Sequence, residues 1–264
     1  MNALRSALVF AWMVVSIIPV GLALVFCSLF LSSETLWRWL GRPWLHGAVV
    51  AADWIGGVKY EVTGQENLPG PDDMRRVVLV SKHQSTWETF FYPSMMPHNL
   101  AYVFKKELLR VPIFGWCMGR LEMVPIDRSK RSQAWNLVAE AGEKLMDRGR
   151  WIIMFPEGTR SERGGQGIYK GGASRLAVAT GALLIPIAVS SARCWPRRSF
   201  SFIPGKIKVS IGTPIPAAGG DPEALMTQVE TWIEAEMRRI DPDAYAHESA
   251  DGSATDAGTK ADHV

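Results

Sequence analysis

The chain has 264 residues, of which 47% are hydrophobic, and this is enough for one sizeable core together with an appendage. Its net charge of +3 comes without a dense lysine and arginine run or a nucleic-acid-binding motif, so we predict no nucleic-acid partner. Cys27, Cys117 and Cys194 have no paired spacing, which argues against a disulfide framework and suits a reducing compartment.

The first predicted element is an apolar segment over residues 7–31, which contains no charged residue. At about 1.5 Å per residue it can cross a hydrocarbon core about 30 Å thick. It is longer than the apolar region of a signal peptide, which has roughly 7–15 residues, and no small-residue cleavage site follows. We therefore predict a retained segment. Pro19 and Gly21 leave a re-entrant or interfacial hairpin open as an alternative to a full span.

Residues 36–54 have the composition of a membrane interface, where aromatic rings lie at headgroup depth and cations meet anionic lipid. The residues concerned are Trp37, Arg38, Trp39, Arg42, Trp44 and Trp54. A tryptophan-rich core helix is the alternative. We predict that residues 1–56 form a membrane anchor with an interfacial helix. More positive charge follows the apolar segment than precedes it, which predicts a catalytic domain on the cytoplasmic side of the cell inner membrane.

His83 and Glu88 follow the apolar run 77–80, which is typical of a buried strand. Regular helix brings together residues three or four apart, so a pair five apart meets only if His83 lies on the turn and Glu88 in the first helical turn. Ser85 or Thr86 can cap that helix. The carboxylate would then orient the imidazole as a base for a hydroxyl proton. A packed histidine beside a solvated glutamate is the alternative.

A second apolar run, residues 151–155, ends abruptly in a polar turn that suits phosphate. Open α/β sheets bind ligands at the carboxyl ends of their strands. Gly158 lets the backbone approach an anion, Thr159 offers a hydroxyl, and the planar fork of Arg160 matches phosphate oxygens. A plain turn with an exposed arginine is the alternative. Arg128 also follows an apolar run, so we expect it on the same sheet edge.

The remaining pattern predicts an α/β fold, with a mixed sheet flanked by helices, in a catalytic domain over residues 57–240. The predicted strands are 57–62, 77–80, 100–104, 121–126, 151–155, 183–189 and 206–211, and the predicted helices are 132–148, 173–180 and 222–240.

Two further segments have the composition of irregular structure. Residues 161–167, with three glycines, are interpreted as a mobile loop, and whether it folds over substrate or only connects elements stays open. Residues 241–264 are polar and acidic and are predicted to be a disordered tail. Because this tail is net negative, the rest of the chain is basic and would attract anionic lipid and acidic substrates.

Four blocks, in this order, resemble the glycerolipid acyltransferase family. Residues 83–88 are similar to its His-x4-Asp block, residues 111–128 to its second block and residues 184–189 to its fourth, while residues 155–160 match its Phe-Pro-Glu-Gly-Thr-Arg block letter for letter. One departure is Glu88, which stands where the family usually has aspartate. The additional methylene keeps the charge and lengthens the reach of the carboxylate.

The resemblance implies that His83 deprotonates a glycerol hydroxyl that attacks an acyl thioester, while Arg128, Glu157 and Arg160 hold the phosphate and glycerol end. The expected reaction converts 1-acylglycerol 3-phosphate into phosphatidic acid. The expected partners are acyl-CoA or acyl carrier protein as donor, a lysophospholipid acceptor and the membrane. An activated thioester needs no cofactor, and the five histidines form no ligand-spaced cluster, so we predict neither a cofactor nor a metal.

Two alternatives remain. The acceptor could be another lysophospholipid or a lyso-aminolipid, because the blocks specify the chemistry more closely than the head group. The same scaffold could also be a non-catalytic lipid-binding protein, although the intact His83 and the hexapeptide argue against it.

Overall fold

The computed structural model describes residues 2–127 and 131–246. Its N-terminal part is helical, with α1 at Asn2–Cys27, α2 at Ser33–Leu36, a π-helical turn at Trp37–Gly41 and α3 at Arg42–Trp54. Helix α1 runs through Pro19 without a break, and the chain turns only after it, so that α3 packs back against α1. By length and composition α1 could cross a membrane, with a mean hydropathy of 2.6 in its most apolar window.

Helix α1 packs on the rest of the protein near both of its ends. In its second turn the Ser6 hydroxyl accepts a hydrogen bond from the backbone N–H of Phe202 at 2.8 Å. Near the other end the carbonyl of Gly21 accepts a hydrogen bond from the Cys117 thiol at 3.7 Å. The opposite face carries exposed apolar side chains, including Val15, which is 69% exposed. One face of α1 is therefore a packing surface, and the other is left apolar and open.

A buried arginine joins the helical segment to the sheet. Arg150 is 2% exposed and donates to the Ser33 hydroxyl at 2.7 Å and to Glu34 Oε1 at 3.1 Å. It also donates to the carbonyl of Leu121 at 2.8 Å. Burial lowers the pKa of Arg150, and the nearby carboxylates of Glu34 and Glu122 oppose that shift. These contacts hold the segment between α1 and α3 in place.

Within the described residues, eight strands form one mixed sheet with the order β1-β7-β6-β2-β5-β3-β4, and β8 pairs with β6. The central pairs β2 with β5 and β2 with β6 are parallel, whereas β6 and β7 are antiparallel. The predicted mixed α/β fold is confirmed. The strands are β1 Val58–Thr63, β2 Val77–Ser81, β3 Leu100–Lys105, β4 Val124–Ile126, β5 Trp151–Met154, β6 Leu183–Val189, β7 Gly205–Ile211 and β8 Ile215–Pro216.

The helices of this domain pack against the sheet: α6 on β5, α7 on β2 and α8 on β6. Their starts and ends follow the predicted local signals. Asp221 accepts a hydrogen bond from the N–H of Ala224 at 2.8 Å and so caps α8, while Gly181 ends α7 with a left-handed φ of 65°. The bounds are α4 Trp87–Met95, α5 Phe114–Arg120, α6 Arg131–Met146, α7 Gly172–Thr180 and α8 Pro222–Ile240.

Two predicted segments differ in the structure. The strand predicted over 121–126 is only Val124–Ile126, because Leu121 closes α5 and Glu122 has a positive φ of 55°. The loop 161–167 was predicted to be mobile, but Arg163 within it forms a salt bridge with the buried Asp241 at 2.6 Å. Polar loops of this composition become ordered when buried partners accept their hydrogen bonds.

The disordered tail was predicted to begin at residue 241, which is too early in the chain. Asp241 is fully buried and pairs with Arg163 and, at 3.0 Å, with Arg193, and Tyr245 is 5% exposed. A buried carboxylate with two arginine partners belongs to the folded body. The boundary predicted at residue 241 is therefore corrected, and residues 247–264 lie outside the described residues.

Candidate active site

The paired histidine and glutamate lie where the sequence places them, between β2 and α4. Strand β2 ends at Ser81, His83 lies on the following turn, and Glu88 is in the first turn of α4. His83 Nδ1 is 2.6 Å from Glu88 Oε2. The carboxylate is fully buried, whereas 15% of the His83 side chain is exposed. The predicted contact across five residues is present, with its carboxylate inside and its imidazole at a surface.

The second oxygen of Glu88 is held separately from the first. Oε1 accepts hydrogen bonds from the backbone N–H groups of Gln84 and Ser85, each at 2.9 Å, and from the Ser191 hydroxyl. Oε2 is thereby directed at His83. A carboxylate facing Nδ1 places the ring proton on Nδ1 and leaves Nε2 as the nitrogen that can accept a proton. This satisfied carboxylate explains how glutamate serves here in place of aspartate.

The polar turn after β5 is joined to the His83 turn by hydrogen bonds. The backbone N–H of Ser161 donates to the His83 carbonyl at 2.8 Å. Arg160 Nη1 donates to the hydroxyl of Thr86 at 2.6 Å. Gly158 has a φ of 69°, a backbone conformation that residues with a Cβ rarely adopt. The two turns, distant in sequence, therefore present one surface.

A cavity of about 590 Å³ opens at this surface. Its polar rim includes His83, Thr86, Gly158, Thr159 and Arg160, which brings most of the predicted site residues together. Its interior is apolar and is lined by side chains from α1, the π-helical turn, α3 and α5. The apolar lining includes Ile17, Val20, Leu24, Trp37, Leu40, Trp44, Phe114 and Leu121.

The chain is similar to several known acyltransferases. The family described as Acyltransferase matches residues 59–190. The 1-acyl-sn-glycerol-3-phosphate acyltransferase of Pseudomonas aeruginosa is 35% identical over 244 residues, covering 91% of this chain and 93% of that protein. The chain belongs to the acyltransferase family. The 1-acyl-sn-glycerol-3-phosphate acyltransferase alpha of Ovis aries is 27% identical over 194 residues, covering 72% of this chain and 67% of that protein.

The fold is also that of a solved family structure. The crystal structure of the 1-acyl-sn-glycerophosphate acyltransferase PlsC from Thermotoga maritima matches with a TM-score of 0.74 and 23% identity. The matched region covers 90% of this chain and 95% of the Thermotoga maritima chain. The acyltransferase described here therefore has a PlsC-like fold.

Glu157 of the acyltransferase is buried and does not line the cavity. It is 4% exposed, and its Oε1 accepts the backbone N–H of His83 at 3.2 Å. The same oxygen is 3.4 Å from Lys82 Nζ. Glu157 Oε1 is thus directed at the backbone of the His83 turn, and the predicted role of Glu157 as a substrate ligand stays a prediction. Arg128 lies outside the described residues, and its predicted role stays a prediction.

A buried lysine cluster, formed by Lys82, Glu157, Tyr169 and Glu234, lies behind His83. Lys82 is fully buried, and its Nζ donates to Glu234 Oε1 at 2.7 Å and to the carbonyl of Gly165 at 2.9 Å. The Tyr169 hydroxyl donates to the same Glu234 oxygen at 2.8 Å. Burial raises the pKa of Glu157, and the Lys82 ammonium partly opposes that shift. The cluster connects α8 to the backbone of His83.

The acyltransferase also has site residues that sequence reasoning did not select. Lys105, at the end of β3, lines the cavity, and Ser191 supports Glu88 from a short turn after β6. A lysine at a strand end is usually a solvated charge, and a serine carries no signal of its own. Lys82 carried a stronger sequence signal, because a lysine that directly follows a fully buried strand needs polar partners. Among the described residues, no group of His, Cys, Asp and Glu is arranged to hold a metal ion.

Proposed function

We propose that this acyltransferase moves a fatty acyl group from an acyl thioester to the free hydroxyl of 1-acylglycerol 3-phosphate and so forms phosphatidic acid for phospholipid biosynthesis. The observation that carries the proposal is that the oriented His83 lies on the rim of an apolar cavity, beside Arg160. A base, a cation and an apolar chamber in one place match the hydroxyl, the phosphate and the acyl chain of these substrates.

In the proposed reaction His83 Nε2 removes the proton from the acceptor hydroxyl as its oxygen attacks the thioester carbonyl carbon. The carbon–sulfur bond then breaks, and the thiol leaves with the proton that His83 has held. Glu88 stabilises the transient imidazolium through the contact of 2.6 Å between Oε2 and Nδ1. A positioned general base contributes roughly 10²- to 10⁴-fold to the rate.

The phosphate of the acceptor is assigned to the cationic part of the rim. Arg160 is oriented by Thr86, and Lys105 adds a second positive charge to the cavity lining. Gly158 and Thr159 lie beside them and would let the acceptor approach the backbone closely. Arginine matches the geometry of phosphate oxygens, and charge-assisted hydrogen bonds are the strong ones.

The apolar interior is assigned to an acyl chain. Side chains from α1 and α3 form one wall, so the N-terminal helices complete the cavity rather than serving only as an anchor. A cavity of about 590 Å³ lies within the range of about 300–1,000 Å³ that is usual for small-molecule sites. The acyl donor of the enzyme is proposed to be acyl-CoA or acyl carrier protein. Both molecules carry acidic groups, which a basic protein attracts.

We propose a position at the cell inner membrane with the domain on the cytoplasmic side, as the charges around the apolar segment predict. Contacts at Ser6 and at Gly21 hold both ends of α1 against the same domain. If a helix crosses the bilayer, one of its ends lies about 30 Å away from a domain that remains on the other side. We therefore infer that α1 lies along the membrane surface, with its exposed apolar face and the 82% exposed Trp54 toward lipid.

The test of this function is acyl transfer by purified protein in phospholipid vesicles, with His83→Ala beside the wild type. We expect the variant to lose about 10²- to 10⁴-fold in kcat. The matched control is His98→Gln, because His98 is a buried histidine whose ring lies between the carbonyls of Gly70 and Gly149. Near wild-type turnover by His83→Ala would refute the assigned base.

An acceptor panel tests the substrate. It compares 1-acylglycerol 3-phosphate with other lysophospholipids, with a lyso-aminolipid and with 1-acylglycerol, each offered with acyl-CoA and with acyl carrier protein as donor. Preference for the phosphate monoester is expected. A preference for the lyso-aminolipid would replace the proposed acceptor, and lipid binding without any thioester consumption would remove the catalytic function.

A further inference from the structure

The connection between β6 and β7 holds two large apolar side chains out in the solvent. We call residues 195–204 the Phe200 loop. Phe200 is 83% exposed and Ile203 is 49% exposed, whereas Phe202 between them is 1% exposed. A folded protein normally turns such side chains inward, and neighbouring exposed ones often mark a binding surface.

The Phe200 loop has a fixed shape, so the exposure of Phe200 and Ile203 is built into the fold. Below it, the ring of Phe202 packs edge-on against Trp195, with ring centroids 4.5 Å apart. The indole N–H of Trp195 donates to the carbonyl of Ser199 at 3.1 Å, and the backbone N–H of Ile203 donates to the carbonyl of Cys194 at 2.8 Å. These contacts fasten the loop at several points along its length.

The exposed part of the loop continues the apolar face of α1. The Phe200 ring lies 5.6 Å from the ring of Phe10 on α1, measured between centroids. One turn beyond Phe10, on the same side of the helix, Val14 is 60% exposed. Helix and loop therefore form one apolar surface built from two parts of the chain that are far apart in sequence.

Positive charge borders this surface. Arg5 on α1 and Arg198 in the loop are both exposed. Arg198 has a positive φ of 59°, a backbone conformation that is uncommon for a residue other than glycine and that has an energetic cost. Apolar side chains with cations at their edge are the composition of a surface that enters the headgroup region of an anionic bilayer.

The loop is also connected to the active site. Arg197 Nη1 donates to the backbone carbonyl of Arg160 at 2.9 Å. Arg160 lies on the cavity rim beside His83. The Phe200 loop is therefore joined directly to a residue that lines the cavity.

We propose that the Phe200 loop is a second membrane-contact element, which extends the apolar surface of α1. Phe200 and Ile203 insert among the acyl chains of an anionic phospholipid bilayer, and Arg198 binds its headgroups. Resting on the proposed function, this contact holds the cavity opening at the depth where a lysophospholipid lies. The acceptor then reaches His83 without leaving the bilayer.

The first test is site-specific photocrosslinking in the full-length protein, with p-benzoylphenylalanine in place of Phe200. The protein is bound to vesicles of phosphatidylcholine and phosphatidylglycerol in equal parts, irradiated and analysed by mass spectrometry. The control carries the same group in place of Ile168, which is 84% exposed but lies in the segment before α7. Lipid adducts at position 200 and not at position 168 are expected.

Crosslinks between two protein chains at position 200 would instead identify a second copy of the chain as the occupant and overturn the proposal. The absence of lipid adducts at position 200, or equal adducts at both positions, would overturn it as well. Because photocrosslinking needs no turnover, these results are independent of whether the proposed acyl-transfer reaction is correct.

The second test separates the loop from the catalytic chemistry. The double variant Phe200→Ser/Ile203→Ser should lose about tenfold in rate on acceptor embedded in vesicles, from the lost burial of apolar surface. It should act normally on acceptor in detergent micelles. Arg198→Ser should lose about fivefold in vesicle affinity only when phosphatidylglycerol is present. Equal losses on both acceptor forms would show a folding defect and contradict the membrane contact.

Discussion

Lys82 Nζ lies 2.7 Å from Glu234 Oε1, so the residue that precedes His83 is tied to the C-terminal helix α8. The same ammonium is 3.4 Å from Glu157, which accepts the backbone N–H of His83. The buried lysine cluster therefore holds the backbone of the His83 turn. Its members do not touch the cavity, and they act through the position of His83.

Lys82→Met should destabilise the protein strongly, because it leaves two buried carboxylates without their shared cation. Removing one partner of a buried ion pair costs about 3–5 kcal/mol in the free energy of unfolding. Urea unfolding in detergent, followed by tryptophan fluorescence, measures the loss. The control is Glu230→Gln on the same helix, whose exposed contact with Gln166 should be worth less than about 0.5 kcal/mol. Equal losses in both variants would contradict the assigned importance of the cluster.

Glu88→Gln should reduce kcat by up to about 10⁴-fold, and by no more than His83→Ala does, while leaving the acceptor KM close to that of the wild type. The amide can still accept the backbone N–H groups of Gln84 and Ser85 through its oxygen, but it then presents its NH₂ to His83. The ring would take the wrong tautomer, as when a catalytic aspartate is replaced by asparagine.

Glu88→Asp is the matched variant, because it keeps the charge and restores the usual residue of the family. The aspartate side chain is shorter, so its carboxylate cannot contact both His83 and the backbone N–H groups that now donate to Oε1. Less than about a tenfold loss in kcat is expected, since general-base catalysis as a whole contributes roughly 10²- to 10⁴-fold. If Glu88→Gln and Glu88→Asp are equally impaired, the orientation of the imidazole is not the function of Glu88.

Arg160→Ala should raise the acceptor KM about 10- to 100-fold, which corresponds to the loss of a charge-assisted hydrogen bond of about 1.5–3 kcal/mol. Thr86→Val should raise it less, because Thr86 only orients the guanidinium through a contact of 2.6 Å. Steady-state kinetics with acceptors that do and do not carry phosphate provide the check. An equal effect on both acceptors would remove Arg160 from the phosphate site.

Gly41→Leu should shift the preference of the enzyme toward shorter acyl chains. Gly41 lines the cavity, and a Cβ there would meet Trp37 at 3.4 Å and Leu121 at 3.5 Å, so a small side chain fits and a larger one extends into the chamber. Gly41→Ala is the control and should change the preference little. The measurement is kcat/KM across a series of donor chain lengths, and an unchanged profile would place the acyl chain elsewhere.

Stability should fall as pH rises above the normal range of glutamate titration, in part because of Glu157. Burial raises the pKa of Glu157 above its unfolded value of 4.5, so the folded state binds the proton more tightly than the unfolded state does. The favourable contribution is complete below the unfolded pKa and is lost as pH rises through the folded pKa. Glu157→Gln should remove this part of the pH dependence of unfolding, and an unchanged slope would contradict it.

Local sequence was sufficient for most of the strands and for the ends of several helices. A continuous apolar run such as residues 77–80 has to be buried, and Asp221 followed by Pro222 favours a helix start in any context. The spacing of His83 and Glu88 was equally informative, because five residues exclude a contact within regular helix and require a turn. These features depend on neighbours in the chain, and the structure contains them as predicted.

The sequence by itself determined the family, the mixed sheet and the pairing of His83 with Glu88. Only the tertiary structure decided that Glu157 faces inward, because Lys82 and Glu234, which are 152 positions apart, meet behind the catalytic turn. It also decided that both ends of α1 pack on the same domain, since the composition of an apolar helix does not show what the helix packs against. Side-chain direction and helix placement depend on partners that are distant in sequence, and folding alone brings those partners into contact.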